Sequence, residues 1–194
     1  MTTATEIREA LLKHEVIPTV IHDETFIPKG FLSAKLGSGD EVHLGNEIKR
    51  GNALQLGQVD FTPFADFRVS KDDRFTLVVT DPDAPSKNYC FLSEVCHCFI
   101  TDIRLKESLD GSSPVTTENL EGKIVFPFIR PGPPPFTGFH RYVFVLYKQR
   151  PGIKLEAPAA RPTWGTGYPG SGAQEYADKY GLEPLAVNFF LCQR

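Results

Sequence analysis

The chain of 194 residues has 41% hydrophobic content and a formal net charge of −3, which predicts one domain, residues 1–194, that buries about 70% of its unfolded surface. The 21 basic side chains against 24 acidic ones include no run that could neutralise a row of phosphates, so we expect no nucleic-acid partner. The apolar stretches are far shorter than the roughly 20 residues of a membrane-spanning helix and the N-terminus lacks signal-peptide features, so we expect a cytosolic protein with peripheral membrane contact at most.

In chain order, the hydrophobic pattern first predicts a helix at Thr5–Glu15, capped by Thr5. Seven segments rich in β-branched and aromatic residues are predicted as strands: Phe31–Leu36, Gln58–Thr62, Arg74–Thr80, Val95–Ile103, Lys123–Ile129, Phe139–Lys148 and Leu185–Leu191. Before the last strand, Arg150–Ser171 is interpreted as a long loop and Gly172–Tyr180 as a second helix, which Gly181 ends in a left-handed cap. Seven strands with few short helices predict a mainly β fold, a sandwich.

Four cysteines, Cys90, Cys96, Cys98 and Cys192, lack the spacing of a disulfide scaffold, and we expect them to be reduced. The run Cys96-His97-Cys98 contains residue types that bind zinc. However, side chains alternate between the faces of the predicted strand, so His97 would point away from both cysteines. We therefore predict no metal site and interpret Cys96 and Cys98 as small core residues.

Two proline-rich turns lie at the ends of predicted strands. Asp81-Pro82-Asp83-Ala84-Pro85 follows one strand directly, and the segment from Gly132 to Tyr142 runs into another. Proline fixes φ and removes a backbone donor, while glycine permits close turns, so these loops hold one shape at little entropic cost. Such loops suit a preformed site.

Alternation along the strands places polar groups among apolar ones. Asp81 shares a face with Phe75, Leu77 and Val79, His97 with Val95 and Phe99, and His140 with Tyr142, Phe144 and Leu146. If these strands are neighbours with their ends together, Asp81, His97 and His140 converge at one end of the core. The sequence therefore predicts a hollow floored by aromatic and aliphatic groups.

The residue types of this hollow indicate the ligand that it could bind. Imidazole N–H groups and the Tyr142 hydroxyl can donate to the oxygens of a phosphate or carboxylate. The Asp81 carboxylate can only accept when ionised, so it either fixes the tautomer of one histidine or holds a cationic group of the ligand. This combination favours a small zwitterionic head group over a plain anion.

Together these motifs resemble the phosphatidylethanolamine-binding protein family. The resemblance lies in Asp81-Pro82-Asp83-Ala84-Pro85, in His97 sixteen positions after Asp81, and in Gly132-Pro133-Pro134 followed by Thr137-Gly138-Phe139-His140-Arg141-Tyr142. Val20-Ile21-His22-Asp23 and Arg161-Pro162-Thr163-Trp164-Gly165 are similar to the fungal carboxypeptidase Y inhibitor branch. The resemblance implies a β-sandwich of one large and one small sheet with peripheral helices, and a pocket for phosphate, acetate-like anions or a phospholipid head group.

Carried over residue by residue, the resemblance implies a pocket formed by Asp81, Pro85, His97, Gly132, Pro133, Pro134, His140 and Tyr142. Arg141 falls on the opposite strand face from His140, and we predict a structural role for it, paired with Asp83. The chain departs from the family at two positions. Val95 stands where the family commonly has tryptophan, which predicts a wider pocket wall, and Phe136 stands where it has glycine, which predicts a crowded mouth.

The resemblance implies a binding protein without a cofactor, a monomer that inhibits a vacuolar serine carboxypeptidase from the cytosol or the vacuole through its N-terminal segment. A lipid-linked signalling scaffold without protease inhibition is an alternative. A hydrolase using His and Asp is another, but the sequence has no Gly-x-Ser-x-Gly, no His-Glu-x-x-His and no phosphate-binding glycine-rich loop. Ser86 and Thr137 lie near the two turns, and nothing in the sequence identifies a base that would activate either. We therefore expect no enzymatic activity.

Overall fold

The computed structural model describes residues 2–105, 121–164 and 170–194. Within these ranges the strands are β1 Gly30–Leu36, β2 Glu41–Val42, β3 Asn46–Glu47, β4 Leu56–Pro63, β5 Phe75–Asp81, β6 Val95–Ile103, β7 Lys123–Phe126, β8 His140–Lys148 and β9 Glu183–Cys192. The helices are α1 Ala4–Lys13, α2 Val16–Thr19 and α3 Ala173–Tyr180, with 3-10 turns at Arg50–Asn52 and Arg161–Thr163.

The strands form two sheets of unequal size. The small sheet has the order β2-β1-β4 and the large sheet the order β3-β9-β8-β5-β6-β7. Neighbouring strands pair antiparallel, apart from β3 and β9, which pair parallel. The predicted β-sandwich with a large and a small sheet and a few short helices is confirmed.

The large sheet carries apolar side chains on both of its faces. One face packs against the small sheet, where the shared core includes Leu32, Phe61, Leu77, Phe144 and Phe190. The other face is covered by helices, in a second core that includes Ile7, Leu11, Val78, Val145 and Tyr176. Every residue of β5 is buried. A strand covered on both faces is a continuous apolar run, and this is why β5 and β8 are easily recognised in the sequence.

The helices are short, and their ends follow ordinary capping rules. Thr3, not the predicted Thr5, caps α1, because its side chain accepts a hydrogen bond from the backbone of Glu6 while the Glu6 carboxylate accepts from the backbone of Thr3. The predicted left-handed cap at Gly181 is confirmed, with φ at 63° after α3. In the described part of the chain, no helix is long and apolar enough to span a membrane.

The structure adds detail that the strand predictions lack. The two-residue strands β2 and β3 were not predicted, because so short a segment carries no periodicity. The predicted strand Lys123–Ile129 ends at Phe126. Residues 165–169 of the predicted loop Arg150–Ser171, and Gly165 of the fungal-type motif, lie outside the described residues.

The strand β6 contains a bulge at His97. In its pairing with β5, Val79 lies opposite Cys98 and Thr80 lies opposite Cys96, so His97 is an extra residue. Cys98 therefore packs in the core between the sheets, whereas Cys96 packs with Phe99 under the helices. The predictions that both cysteines lie opposite His97, and that His97 shares a face with Phe99, are wrong because regular alternation fails at a bulge.

Candidate ligand-binding site

Three neighbouring strands bring Asp81, His97, His140 and Tyr142 together at one end of the core between the sheets. β5 lies between β6 and β8, so its last residue, Asp81, lies beside His140 of β8 and Val95 of β6. The Tyr142 ring packs edge-on against His97, with 5.0 Å between ring centroids, and stacks on His140 at 6.4 Å. All four side chains are buried. The structure thus brings together the side chains whose convergence alternation along the strands predicts.

Contacts at both ring nitrogens fix the orientation of His140. Its Nδ1 lies 2.9 Å from Asp81 Oδ2, and its Nε2 lies 3.0 Å from the hydroxyl oxygen of Thr137. Because a carboxylate only accepts, Nδ1–H is the donor to Asp81. The Thr137 hydroxyl in turn donates to the Pro134 carbonyl at 2.8 Å. Asp81 therefore orients one histidine, and Thr137 connects that histidine to the proline loop.

A hydrogen bond from its Nδ1 to the backbone fixes the orientation of His97. Its Nδ1 lies 2.8 Å from the Ile129 carbonyl, so Nδ1 carries the hydrogen. Burial lowers the pKa of His97, although the Ile129 hydrogen bond and the charge of Asp81 oppose the shift. The resting ring is therefore neutral with Nε2 as an acceptor, and His97 must take up a proton before Nε2–H can donate to an anion.

The hydroxyl of Tyr142 is buried without a regular hydrogen bond. Three such side-chain atoms occur in the described part of the chain, and the other two, Tyr147 Oη and Trp164 Nε1, belong to the core under the helices. Burial, and then the nearby charge of Asp81, raise the pKa of Tyr142, so the hydroxyl keeps its hydrogen. A buried donor without a partner costs about 1–3 kcal/mol. A ligand oxygen in the pocket would recover that cost.

Arg141 faces away from the pocket and forms the predicted pair with Asp83. Arg141 Nε lies 2.9 Å from Asp83 Oδ2, and Nη2 lies 2.6 Å from Oδ1. The remaining Nη1 donates to the backbone carbonyls of His14 and Glu15 at 3.0 and 2.8 Å. Asp83 is linked to the pocket as well, because its N–H donates to Asp81 Oδ1. This pair therefore joins the Asp81–Pro85 turn to the end of α1.

Sequence comparison connects this geometry to known proteins. Residues 38–190 match the family model of the phosphatidylethanolamine-binding protein. The chain belongs to the phosphatidylethanolamine-binding protein family. The carboxypeptidase Y inhibitor of Saccharomyces cerevisiae (strain ATCC 204508 / S288c) is 36% identical over 201 residues, covering 93% of this chain and 92% of the yeast protein.

Solved structures of this family share the fold. A crystal structure of carboxypeptidase Y inhibitor complexed with the cognate proteinase has a TM-score of 0.89 and 35% identity, covering 98% of this chain and 96% of that chain. The phosphatidylethanolamine-binding protein from Plasmodium vivax, at 20% identity, has a TM-score of 0.74 and covers 96% of this chain and 97% of its own. Residues 1–37 precede the family match, but the likeness to the inhibitor structure extends into them.

The remaining pocket residues implied by the family resemblance lie on the two turns. Pro85 is half-buried and follows Asp81 on the first turn, Pro133 is buried, and Gly132 and Pro134 are exposed. Among these four, Pro134 is tied to the cluster through its carbonyl bond to Thr137. The other three lie in the loops that flank the cluster.

The two departures from the family have different outcomes. Val95 is half-buried opposite Asp81, so it lies beside the pocket, and the wider wall stays a prediction. Phe136 has a φ of 64° and is fully exposed. The backbone there has the left-handed conformation that favours glycine. The prediction that the Phe136 ring crowds the pocket mouth is wrong, because a fully exposed ring packs against nothing.

The sequence does not predict the roles of two residues near the pocket, Thr137 and Glu94. Thr137 contacts His140, and this contact depends on the shape of the loop. Glu94 lies behind the pocket on the helix-covered face, where its Oε1 accepts from the Thr80 hydroxyl and from the Ala173 N–H, each at 2.9 Å. Burial raises the pKa of Glu94 to about 8, against the effect of these hydrogen bonds. A lone glutamate before a strand gives no sequence signal of this environment.

Proposed function

We propose that this protein inhibits a serine carboxypeptidase, in the cytosol or the vacuole, and binds a phosphate-bearing head group in its pocket. The observation that carries the inhibitory role is the likeness to an inhibitor crystallised with its proteinase, with a TM-score of 0.89 over 98% of this chain. The observation that carries the ligand is the buried Tyr142 hydroxyl, which makes no regular hydrogen bond and lies near the Asp81 carboxylate.

The pocket offers the groups that a zwitterionic phosphate ester needs. The Tyr142 hydroxyl is a buried donor that makes no regular hydrogen bond, and a protonated His97 adds a second donor and a positive charge. The Asp81 carboxylate, of which one oxygen is bound to His140, can also attract a ligand ammonium group. This set of groups supports an ethanolamine phosphate over a simple anion.

The N-terminal segment is the part of the surface that we assign to the protease. Ile7 and Leu11 of α1 are fully buried, which fixes the helix on the large sheet, while Thr5 and Glu9 remain exposed. Arg141 holds the carboxyl end of the same helix. A rigid helix with an outward polar face can contact an enzyme at little entropic cost.

The contacts of Thr137 support binding rather than catalysis. Asp81, His140 and Thr137 occur in the order carboxylate, imidazole and hydroxyl, which is the order of groups in nucleophilic catalysis. A hydroxyl has one hydrogen, and that of Thr137 is donated to the Pro134 carbonyl. We infer that Thr137 braces the loop, and that the protein is not an enzyme.

The ligand proposal is tested by Tyr142→Phe, with Tyr147→Phe as the matched control. Both changes remove a buried hydroxyl without a regular hydrogen bond. We expect Tyr147→Phe to raise the free energy of unfolding by about 1 kcal/mol, and Tyr142→Phe to raise it less, because the Tyr142 hydroxyl lies near Asp81. Tyr142→Phe alone should weaken phosphorylethanolamine binding about tenfold in calorimetry, the loss of roughly one hydrogen bond. Equal affinity of the wild type and Tyr142→Phe would overturn the pocket assignment.

The inhibitory role is tested against carboxypeptidase Y in the same set of proteins. We expect wild type and Tyr142→Phe to inhibit equally, and Thr5→Arg on the exposed face of α1 to inhibit at least tenfold less. Lys154→Glu, exposed on the loop after β8, is the control and should have no effect. Absence of inhibition by the wild type would favour a lipid-linked regulator, and turnover of a phosphoester that is lost in Thr137→Val would favour a hydrolase.

A further inference from the structure

A groove opens between the two sheets beside the pocket. β4 is an edge strand of the small sheet and β7 an edge strand of the large sheet, and the groove lies between these two edges. It has a volume of about 400 Å³ and is lined mainly by Leu56, Val59, Leu77, Cys98, Ile100 and Phe128. None of the described residues that line it carries a charge. This volume falls within the range of small-molecule sites, roughly 300–1,000 Å³.

The mouth of the groove exposes two large aliphatic side chains. Leu54 is 50% exposed and Ile124 is 63% exposed, and both line the groove. Exposed apolar residues are common one at a time, but here they rim an apolar cavity. The groove therefore offers a continuous apolar path from its mouth to Leu77 and Cys98, both fully buried.

Two chain segments link the lining of the groove to the residues of the pocket. The bulge in β6 turns His97 towards the pocket and the next residue, Cys98, towards the groove. Ile129 binds His97 through its carbonyl, and the residue before it, Phe128, lines the groove. Along β5, Asp81 and Leu77 lie on one face and are separated by about 13 Å, at roughly 3.3 Å per residue. The two sites therefore lie on neighbouring stretches of the same strands.

We propose that this groove binds the aliphatic chain of a single-chain phospholipid whose head group occupies the pocket. The described residues that line the groove are uncharged and mainly apolar. The transfer of an aliphatic chain from water to such a lining is favourable for each methylene buried. The inference rests on the proposed head-group site and adds the part of the ligand that this site does not bind.

Three probes separate the two parts of the ligand: phosphorylethanolamine, which has only the head group; dodecanol, which has only the chain; and dodecanoyl lysophosphatidylethanolamine below its micelle concentration, which has both. By calorimetry we expect the wild type to bind the complete probe at least tenfold more tightly than phosphorylethanolamine. In methyl NMR spectra, the complete probe and dodecanol should shift the Ile100 and Ile124 signals, and phosphorylethanolamine should not.

The double variant Leu54→Asp/Ile124→Asp places two charges at the groove mouth. Both positions are exposed, so the fold should tolerate the change. We expect this variant to lose the tenfold advantage of the complete probe and to bind phosphorylethanolamine as the wild type does. Ile27→Asp is the matched control, because Ile27 is 56% exposed and does not line the groove. Its affinities for all three probes should equal those of the wild type.

The outcomes distinguish the groove from the pocket. If the complete probe binds no more tightly than phosphorylethanolamine, or if the double variant keeps the advantage, the groove proposal is wrong and the head-group site stands. If phosphorylethanolamine does not bind but dodecanol still shifts Ile100 in the wild type and not in the double variant, the head-group function fails while the groove remains an apolar site. If no probe binds, both are overturned.

Discussion

Among single residues, His97 controls the affinity of the pocket for an anion through its protonation. The Ile129 carbonyl fixes the hydrogen on Nδ1, and burial lowers the pKa of the ring. The ring is therefore neutral at neutral pH, and the lone pair on its Nε2 repels a bare oxyanion. Binding of an anion at Nε2 requires the uptake of one proton.

We expect anion affinity to rise as pH falls, because the bound state holds one more proton than the free state. Sulfate is the suitable probe, since it does not titrate in the neutral range. Above the lowered pKa of His97, its dissociation constant should decrease by about tenfold for each unit that the pH falls. Calorimetry in buffers of different ionisation enthalpy should show uptake of one proton.

His97→Gln keeps an N–H donor on the side chain without a titrating ring. Its sulfate affinity should change little with pH, and sulfate binding to this variant should take up no proton from the buffer. A wild-type affinity that is flat between neutral and alkaline pH would show that the anion does not bind at Nε2.

At the scale of elements, Arg141 of β8 fastens the N-terminal helix to the turn that carries Asp81. Its side chain forms two bonds to the Asp83 carboxylate and two to the carbonyls of His14 and Glu15, directly after α1. Both charged side chains are buried. Removing one partner of a buried ion pair costs free energy, because the remaining charge stays buried, without a partner and without hydration.

We expect Arg141→Ala to lower the free energy of unfolding by about 3–5 kcal/mol, the usual cost of leaving one buried charge unpaired. Hydrogen exchange should accelerate at the carboxyl end of α1. Arg8→Ala is the control, because Arg8 makes one exposed bond to the Glu24 carbonyl and its loss should cost less than about 1 kcal/mol. Unchanged protection of α1 in Arg141→Ala would mean that packing of Ile7 and Leu11 alone holds the helix.

Among the strands, the sequence predicts part of the site correctly and part of it wrongly. Alternation places Asp81, His140 and Tyr142 correctly, because β5 and β8 are regular and fully covered. It fails for Cys98, because a bulge adds one residue without any local signal. The bond between Thr137 and His140 depends on loop geometry, which is set by contacts distant in sequence and not by the turn residues alone.

At the scale of the whole molecule, Glu94 joins parts that are far apart in the chain. Its carboxyl group binds Thr80 of β5 and the first turn of α3, and its backbone N–H donates to Ser171. The pKa of Glu94 is raised to about 8 from 4.5. The folded state therefore binds this proton more strongly than the unfolded state.

We expect the contribution of Glu94 to the free energy of unfolding to fall as pH rises from about 5 to 8. The contribution of protonated Glu94 is complete below the unfolded value of 4.5 and is lost as pH rises through the folded value of about 8. Glu94→Gln removes the titration and should flatten the dependence over this range. Urea unfolding at several pH values measures both proteins, and parallel curves would rule out Glu94 as the source.

The position of β9 determines when this molecule can be completed during synthesis. This strand comes last in the chain, yet it lies inside the large sheet, between β3 and β8. A nascent chain still lacking it has a large sheet with β8 as an unpaired edge and an open core, a state that favours association with other chains. The chain must therefore leave the ribosome as far as Cys192 before its large sheet can close, and chaperones that shield exposed strand edges should matter most for the chain emerging up to α3.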